Sequence, residues 1–417
     1  MPKNPEESVD VQPRLLVVSQ GVESLNYIGV KRVGEGFEMD CEVKAEAAVC
    51  PSCGSKDVSV KENVRRVFRG APLNRSQVEV VCQIPIVKCH SCRKTREVDI
   101  DFADKKKKYT KAFYSYFIKA LDSTSITVFN KVFGVPLDIC YLAFTDYLHQ
   151  EYVSNKISNV KEIIIDDILI NNGDIGFTIV MDLETKRVLS VGQGHAPDAL
   201  DEFWALLGPR EAKKIKAVAL DPNASYVSSV ASNLRNASII FDRFHVEKLM
   251  DQRAGLEKKY IFSSSSADQK YLIEADEFAT MEYNAFMDPQ DRLDLLREIT
   301  EPLTLAFILH EDLARIWRRQ TRETATNFLT SWIEKFIDYD NPIVKQMTEC
   351  IDKYSEEILN WFDNKVNVKP LQDFYKKVAE IDLTIDKYRD IDYYKLVFLG
   401  LHDPKIIRAI DQPPLWW

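Results

Sequence analysis

Residues 161–200 read KEIIIDDILINNGDIGFTIVMDLETKRVLSVGQGHAPDAL; after a helical spacer, 214–227 read KIKAVALDPNASYV and 237–246 read ASIIFDRFHV. The dense β-branched and apolar runs predict strands over 162–170, 175–183 and 187–192, a helical segment over 197–207, and further strands over 215–220 and 237–241. The first, fourth and fifth of these strands each end on or deliver an aspartate: Asp166, Asp221 and Asp242. An α/β sheet presents its chemistry at strand ends, where a rigid backbone gives way to loops that leave room for a ligand. Carboxylates held close together on neighbouring strands repel unless a cation lies between them, and oxygen-only ligation suits Mg²⁺ or Mn²⁺. The stretch therefore predicts a metal-dependent phosphoryl-transfer core.

The chain around it has 417 residues, enough for two to four domains, and its 45% hydrophobic content is ordinary for a globular protein. No apolar run approaches the ~18 residues of a membrane span, and the first residues, MPKNPEESVD, lack the apolar core of a signal peptide. The expected compartment is cytoplasmic, with association to the nucleoid when DNA is bound. Eight cysteines in that setting point to metal binding or buried thiols instead of a disulfide framework.

Two CxxC pairs, Cys50/Cys53 and Cys89/Cys92, stand thirty-five residues apart. Four thiolates offered from two tight turns are what tetrahedral Zn²⁺ requires. The β-rich stretch between them fits a zinc ribbon, while Cys41, Cys82 and Cys140 read as core thiols. The net charge of −9 conceals a local excess: residues 54–111 hold fifteen Lys/Arg against seven Asp/Glu, so the rest of the chain carries −17. Phosphate attraction follows local charge density. Arg65, Arg66, Arg69, Arg75, Arg93, Lys94, Arg96 and Lys105, Lys106, Lys107 and Lys108 are accordingly the candidate contacts to a DNA backbone.

From residue 110 to 152 the pattern is helical, with helix-turn-helix spacing around Gly134-Val135-Pro136. No Lys or Arg occurs between Lys131 and Lys156, and the second helix carries Asp138 and Asp146. Base readout needs Arg, Lys, Asn or Gln at exposed positions, so a packing or dimerising role is favoured for this unit. After Val246 the chain turns helical and charged, with amphipathic runs to about residue 363, then a helix, a break near 387–390, another helix and a Pro-rich tail. The expected organisation is an N-terminal segment (1–40), a zinc-ribbon module (41–104), a helix-turn-helix-like region (105–158), core strands (159–246), a helical insertion (247–365) and C-terminal helices completing the core (366–417).

In this order, the CPSCGS knuckle and second CxxC, the helical region, the strand ending in Asp166-Asp167, Asp221 with Tyr226, the IIFDRFHV octet and YRDIDYYKLVFLGLH (388–402) resemble the DDE-type transposases of the bacterial ISL-three insertion-sequence family. The resemblance covers nearly the whole chain. It implies an α/β RNase H-like core with a mixed sheet and a helical insertion, in which two aspartates and a glutamate bind two Mg²⁺ or Mn²⁺ ions. It also implies cutting of double-stranded DNA at element ends and joining to a target, by an assembly of several copies. By position Asp166 and Asp221 match the first two acids, with Asp167, Asp242 and His245 in supporting roles. Counting back from Tyr388-Arg389-Asp390, the third acid falls on Gln372, and the family's Glu-Gly pair and flanking Asn are absent there. Asp373 and Glu380 are the nearby carboxylates. The second reading is therefore a catalytically inactive, transposase-derived DNA-binding or assembly protein.

Overall fold

A hairpin of unusual length dominates the N-terminal part of this computed structural model, which describes residues 13–44, 48–104, 106–153, 156–170, 175–194, 197–222, 224–247, 249–250, 309–381, 386 and 389–410. Lys105, Tyr388, the amphipathic runs within 251–308 and the tail 411–417 lie outside the described residues. The chain divides into two compact units, Met1–Asn155 with Lys377–Trp417, and Lys156–Lys376.

In the first unit, helix α1 (Pro13–Gln20) precedes strands β1 (Leu25–Val33), β2 (Gly36–Val43), β3 (Val58–Leu73), β4 (Ser76–Cys89) and β5 (Thr95–Glu97). They form one sheet in the order β1-β2-β4-β3, with β5 on β4. The β3–β4 hairpin closes over Asn74-Arg75, both at positive φ (46° and 68°), as a two-residue turn matching the strands' twist demands. Cys41 and Cys82 are register partners on β2 and β4, fully buried, and burial pushes both thiols up to about 12. They pack with Leu16, Met39, Phe68, Val80 and Phe102, as core thiols should.

Helices α2 (Lys111–Ala120), α3 (Ile126–Phe133) and α4 (Leu137–Leu148) follow. Thr110 and Ser125 cap the first two through their side-chain oxygens, and Gly134 ends α3 in the left-handed region at φ 64°. Phe113, Phe117 and Phe129 fill the space between them, with the rings of Phe117 and Phe129 at 4.9 Å edge to face.

The second unit is built on strands β6 (Glu162–Ile170), β7 (Ile175–Asp182), β8 (Val188–Gln193), β9 (Ala217–Leu220) and β10 (Ser238–Ile240), in the order β10-β9-β6-β7-β8. β6–β7 and β7–β8 pair antiparallel, whereas β6–β9 and β9–β10 pair parallel. This mixed sheet with helices is compatible with an RNase H-like core. Helices α5 (Asp201–Ala212) and α6 (Ala224–Asn233) supply the parallel crossovers. A Cβ at Gly192 would lie 1.9 Å from the Ala199 carbonyl, so only glycine lets the short helix Pro197–Leu200 sit this close to β8.

Helices α7 (Arg322–Phe336), α8 (Pro342–Lys353), α9 (Ser355–Asn364) and α10 (Lys369–Ala379) complete the helical part that follows. Trp332, Met347, Ile358 and Phe362 share one hydrophobic cluster with Val218, Leu220 and Phe241 of the sheet. Helix α9 covers the open edge at β10: Asn360 Nδ2 donates to Ile239 O at 3.0 Å, and Phe241 N donates to Glu357 O at 3.0 Å. Those bonds fix the backbone immediately before Asp242 and remove an unpaired strand edge.

The chain then contributes α11 (Ile391–Gly400) and α12 (Pro404–Ile410) to the first unit. The sequence assigned all of 366–417 to the core; here the chain after Lys376 clusters with the first unit instead. The physical reason is aromatic, since Tyr393 packs against Tyr141 (5.8 Å) and Phe144 (6.4 Å) of α4, and Tyr152 donates to Asp403 at 3.0 Å.

Candidate carboxylate and cysteine sites

Three aspartates meet at one level of the second unit's sheet because of strand register. Ile165 on β6 pairs with Leu220 on β9, so the next residue of each chain is Asp166 and Asp221. Ile240 on β10 pairs with Ala219, so two residues on, Asp242 reaches the level of Asp221. Neighbouring strands lie about 4.8 Å apart, and residues in register point to the same face. Asp166 is 0% exposed and Asp242 1%. Asp167, the next residue on β6, points to the opposite face.

Asp167 is held on that opposite face by Tyr226, whose hydroxyl donates to its Oδ1 at 2.7 Å, and by Thr178, 3.0 Å from the same oxygen. Thr178 is its cross-strand partner on β7 and also lies 2.9 Å from Gly194 O. Burial first, and the Asp167 carboxylate next to it, hold the Tyr226 phenol well above its ordinary value.

Asp242 caps a helical turn that begins at Arg243. Its Oδ1 accepts from Phe244 N at 2.7 Å and His245 N at 3.4 Å, and its Oδ2 lies 2.5 Å from His245 Nδ1. The DRFH motif is thus an N-cap whose third helical residue reaches back to the cap. His245 is fully buried, and its Nε2 has no hydrogen-bond partner and stands 3.8 Å from Asp166 Oδ2. Burial pulls its pKa down, but the bond to Asp242 and the charges of Asp242, Asp166 and Asp221 outweigh that and leave it raised.

On the Asp166 face, the C-terminal helix presents a residue that the sequence reading did not single out. Tyr375 of α10 donates its hydroxyl to Asp166 Oδ2 at 2.5 Å and lies 3.3 Å from Asp167 O. Gln372, expected at the third acid's position, is exposed, and Glu380 is exposed as well. The reason is periodicity. Leu371, Phe374 and Val378 are the buried stripe of this helix, Tyr375 borders it, and Gln372 lies about 100° around from Leu371. That stripe was the available signal for Tyr375. Desolvation, then the Asp166 charge, keep the phenol firmly protonated and so a donor.

The donor set at Asp166 and Asp221 is all oxygen and suits a hard divalent ion. Asp166 already accepts from Asp167 N at Oδ1 (2.8 Å) and from Tyr375 at Oδ2.

In the first unit, the sulfurs of Cys50, Cys53, Cys89 and Cys92 all lie within 4.8 Å of one another, the group of metal-ligand atoms found among the described residues. Cys50–Cys92 and Cys53–Cys89 are each 3.6 Å apart. Four sulfurs around Zn²⁺ at its usual bond length stand about 3.8 Å apart, so the set fits that ion. The two knuckles are built alike: Cys50 N donates to Ser55 O (2.9 Å) and Cys89 N to Lys94 O (3.0 Å). Each is followed by a left-handed residue, Gly54 (φ 71°) and Arg93 (φ 60°). Ser52 N and Cys92 N point at the sulfurs of Cys50 and Cys89, both at 3.4 Å, and these bonds lower both thiols, Cys89 to about 6.

The basic residues are sorted by their surroundings. Arg75, Arg93, Lys94, Arg96, Lys106 and Lys108 are exposed. Arg65, also exposed, lies 3.5 Å from Glu38, and Arg66 pairs with Glu97 at 2.7 Å. Arg69 departs from the expectation of a phosphate contact. Its side chain is 9% exposed and committed to Gln77 (2.7 Å) and Glu79 (3.0 Å). Lys107 and Tyr109 both bond Asp146, so that acid is satisfied within the unit.

Among the described residues no helix is long and apolar enough to cross a membrane. The family model described as a transposase, of the ISL3 DDE type, matches residues 163–396, more than half of the chain. The transposase for insertion sequence element IS1001 of Bordetella parapertussis is 21% identical over 382 residues, covering 88% of this chain and 93% of that protein. The matched span begins on β6, three residues before Asp166, and runs through the aspartates, the DRFH cap and α10 into α11. Sheet order, carboxylate row and matched span together make this chain a member of the ISL3 family of DDE transposases.

Proposed function

We propose that the chain is a DNA strand transferase that uses Asp166 and Asp221 as ligands of divalent metal. The observation that carries this is their register: they follow directly on paired residues of adjacent parallel strands, and both act on His245 and Tyr375. When bound, Mg²⁺ or Mn²⁺ supplies charge neutralisation for phosphoryl transfer. In this reading Asp242 fixes His245, and His245 sets its Nε2 against Asp166. Asp167 anchors β6 to Thr178 and Tyr226 on the far face. The substrate class is double-stranded DNA, gripped at phosphates by Arg75, Arg93, Lys94, Arg96, Lys106 and Lys108 beside a zinc-holding ribbon, with α3 and α4 as a helix-turn-helix-like packing unit. Assembly of several copies on DNA belongs to the same reading.

One observation favours a second reading, a DNA-binding or assembly protein without strand-transfer activity. The residue that α10 sets against Asp166 is Tyr375, and Gln372 is exposed. Cleavage of DNA carrying the element's ends, in Mg²⁺ or Mn²⁺, by wild type and Asp221→Ala separates the two. Cleavage lost in the variant supports the first reading. Binding of that DNA with no cleavage by either protein supports the second.

A further inference from the structure

Asp166 has no accessible surface and Asp242 is buried as well, whereas Asp221 is half-buried. A divalent ion such as Mg²⁺ needs direct contact with a carboxylate oxygen and room for several waters. Oδ1 of Asp166 faces the backbone N–H of Asp167 at 2.8 Å, a bond within the strand itself. Oδ2 is covered by the Tyr375 hydroxyl at 2.5 Å, and beyond it stands His245 Nε2 at 3.8 Å. His245 is tied to Asp242, whose other oxygen caps the following turn. Tyr375 reaches Oδ2 from another element through its side chain alone, so it can leave by rotation without moving β6 or the Asp242 cap.

We infer that Tyr375 is a positioning residue that sets metal occupancy at Asp166: its hydroxyl bonds Oδ2 and has to withdraw for a divalent ion to bind there. This rests on the reading that Asp166 and Asp221 hold the ion. A phenol bonded to an ionised carboxylate is a charge-assisted hydrogen bond, among the stronger kinds, and an incoming ion must replace it. Tyr375→Phe keeps the ring and its packing and removes only that competitor.

The test is Mn²⁺ titration of the full chain, following free Mn²⁺ by electron paramagnetic resonance, with no activity readout. Tyr375→Phe is expected to bind Mn²⁺ about tenfold more tightly than wild type, with the gain abolished by adding Asp221→Ala. Unchanged or weaker binding in Tyr375→Phe, with Asp221→Ala still abolishing binding, overturns the role of Tyr375 and leaves the site standing. Binding that ignores Asp221 in both backgrounds overturns the site and the inference with it. A second measurement needs no variant. In wild type, Mn²⁺ is expected to increase nitration of Tyr375 by tetranitromethane, read by mass spectrometry, because the released phenol becomes accessible. Nitration that stays the same with Mn²⁺ bound overturns the inference.

Discussion

His245 joins two aspartates: its Nδ1 lies 2.5 Å from Asp242 Oδ2, and its Nε2 lies 3.8 Å from Asp166 Oδ2. The pKa of this fully buried imidazole is raised above 6.5, so its protonated form is favoured in the fold. A group of that kind contributes stability that is complete below its unfolded pKa and is lost as pH rises through the folded one. His245→Asn removes the counter-charge of buried carboxylates and should cost about 3 kcal/mol near pH 6. The cost should shrink towards pH 9, as rising pH takes the charge from the wild-type imidazole. Urea unfolding at both pH values checks this, and an equal loss at the two would exclude a charged His245.

Tyr226 stabilises the same strand from the other face. Its hydroxyl is within 2.7 Å of Asp167 and 2.9 Å of Thr178, and the side chain is fully buried. Tyr226→Phe leaves the packing and removes a donor to a carboxylate, so the expected loss is about 2 kcal/mol. Thr178→Val, which removes the other donor to Asp167, should be less than additive with it, because the two share one acceptor. Chemical denaturation of the single and double variants measures the coupling.

The cysteine cluster should carry one zinc per chain. Cys50→Ser or Cys89→Ser should reduce the bound zinc, counted by elemental analysis, to near zero. Metal competes with protons for thiolates, so zinc must be released as pH falls. The N–H groups of Ser52 and Cys92 favour the thiolates of Cys50 and Cys89, so zinc should stay bound at neutral pH and leave only as acid protonates the four sulfurs. Zinc appearing in a chromogenic chelator along a pH series reads the midpoint.

Basic residues of the ribbon divide by the same logic of partners. Arg93, Lys94 and Arg96 are exposed, whereas Arg69 is half-buried and paired with Glu79. Replacing the first three by Ala should weaken DNA binding and lower the slope of log affinity against log salt by about 2–3. Arg69→Ala should leave the slope unchanged and destabilise the fold by leaving Glu79 and Gln77 without their donor. A slope that responds to Arg69 alone would reverse the assignment.

The strands of the second unit were legible because most are short apolar runs closed by polar or turn residues, and β6 is found at the limits expected, 162–170. The four cysteines were legible because two CxxC pairs are the spacing of paired zinc knuckles, and their sulfurs do converge. The carboxylate row was half legible. Sequence places an aspartate after each strand, but only pairing register puts Asp166, Asp221 and Asp242 at one level. Pairing partners are set by tertiary contacts that no local window contains. The partners of Arg69 were hidden for a similar reason: charge in a run looks solvated until the neighbouring strand supplies Glu79. At α10, counting from a motif pointed to Gln372, while the helix's own apolar period, Leu371, Phe374 and Val378, already turned Tyr375 inward.

That helical phase yields the sharpest prediction about the third acid. Gln372→Glu restores the expected residue type at the expected position, yet the side chain is exposed there and should change neither stability nor Mn²⁺ binding. Tyr375→Glu places a carboxylate against Asp166 instead. Without metal, two acids in a buried setting repel, so this variant should be destabilised by about 3 kcal/mol or hold a proton between the two groups. Mn²⁺ relieves that repulsion, and ligand that binds only the folded state at 100 times its Kd adds about 2.7 kcal/mol. The melting temperature of Tyr375→Glu should therefore climb steeply with Mn²⁺, by several degrees more than that of wild type or Gln372→Glu. A larger Mn²⁺ response in Gln372→Glu would mean that α10 turns its Gln372 face to the aspartates when metal binds.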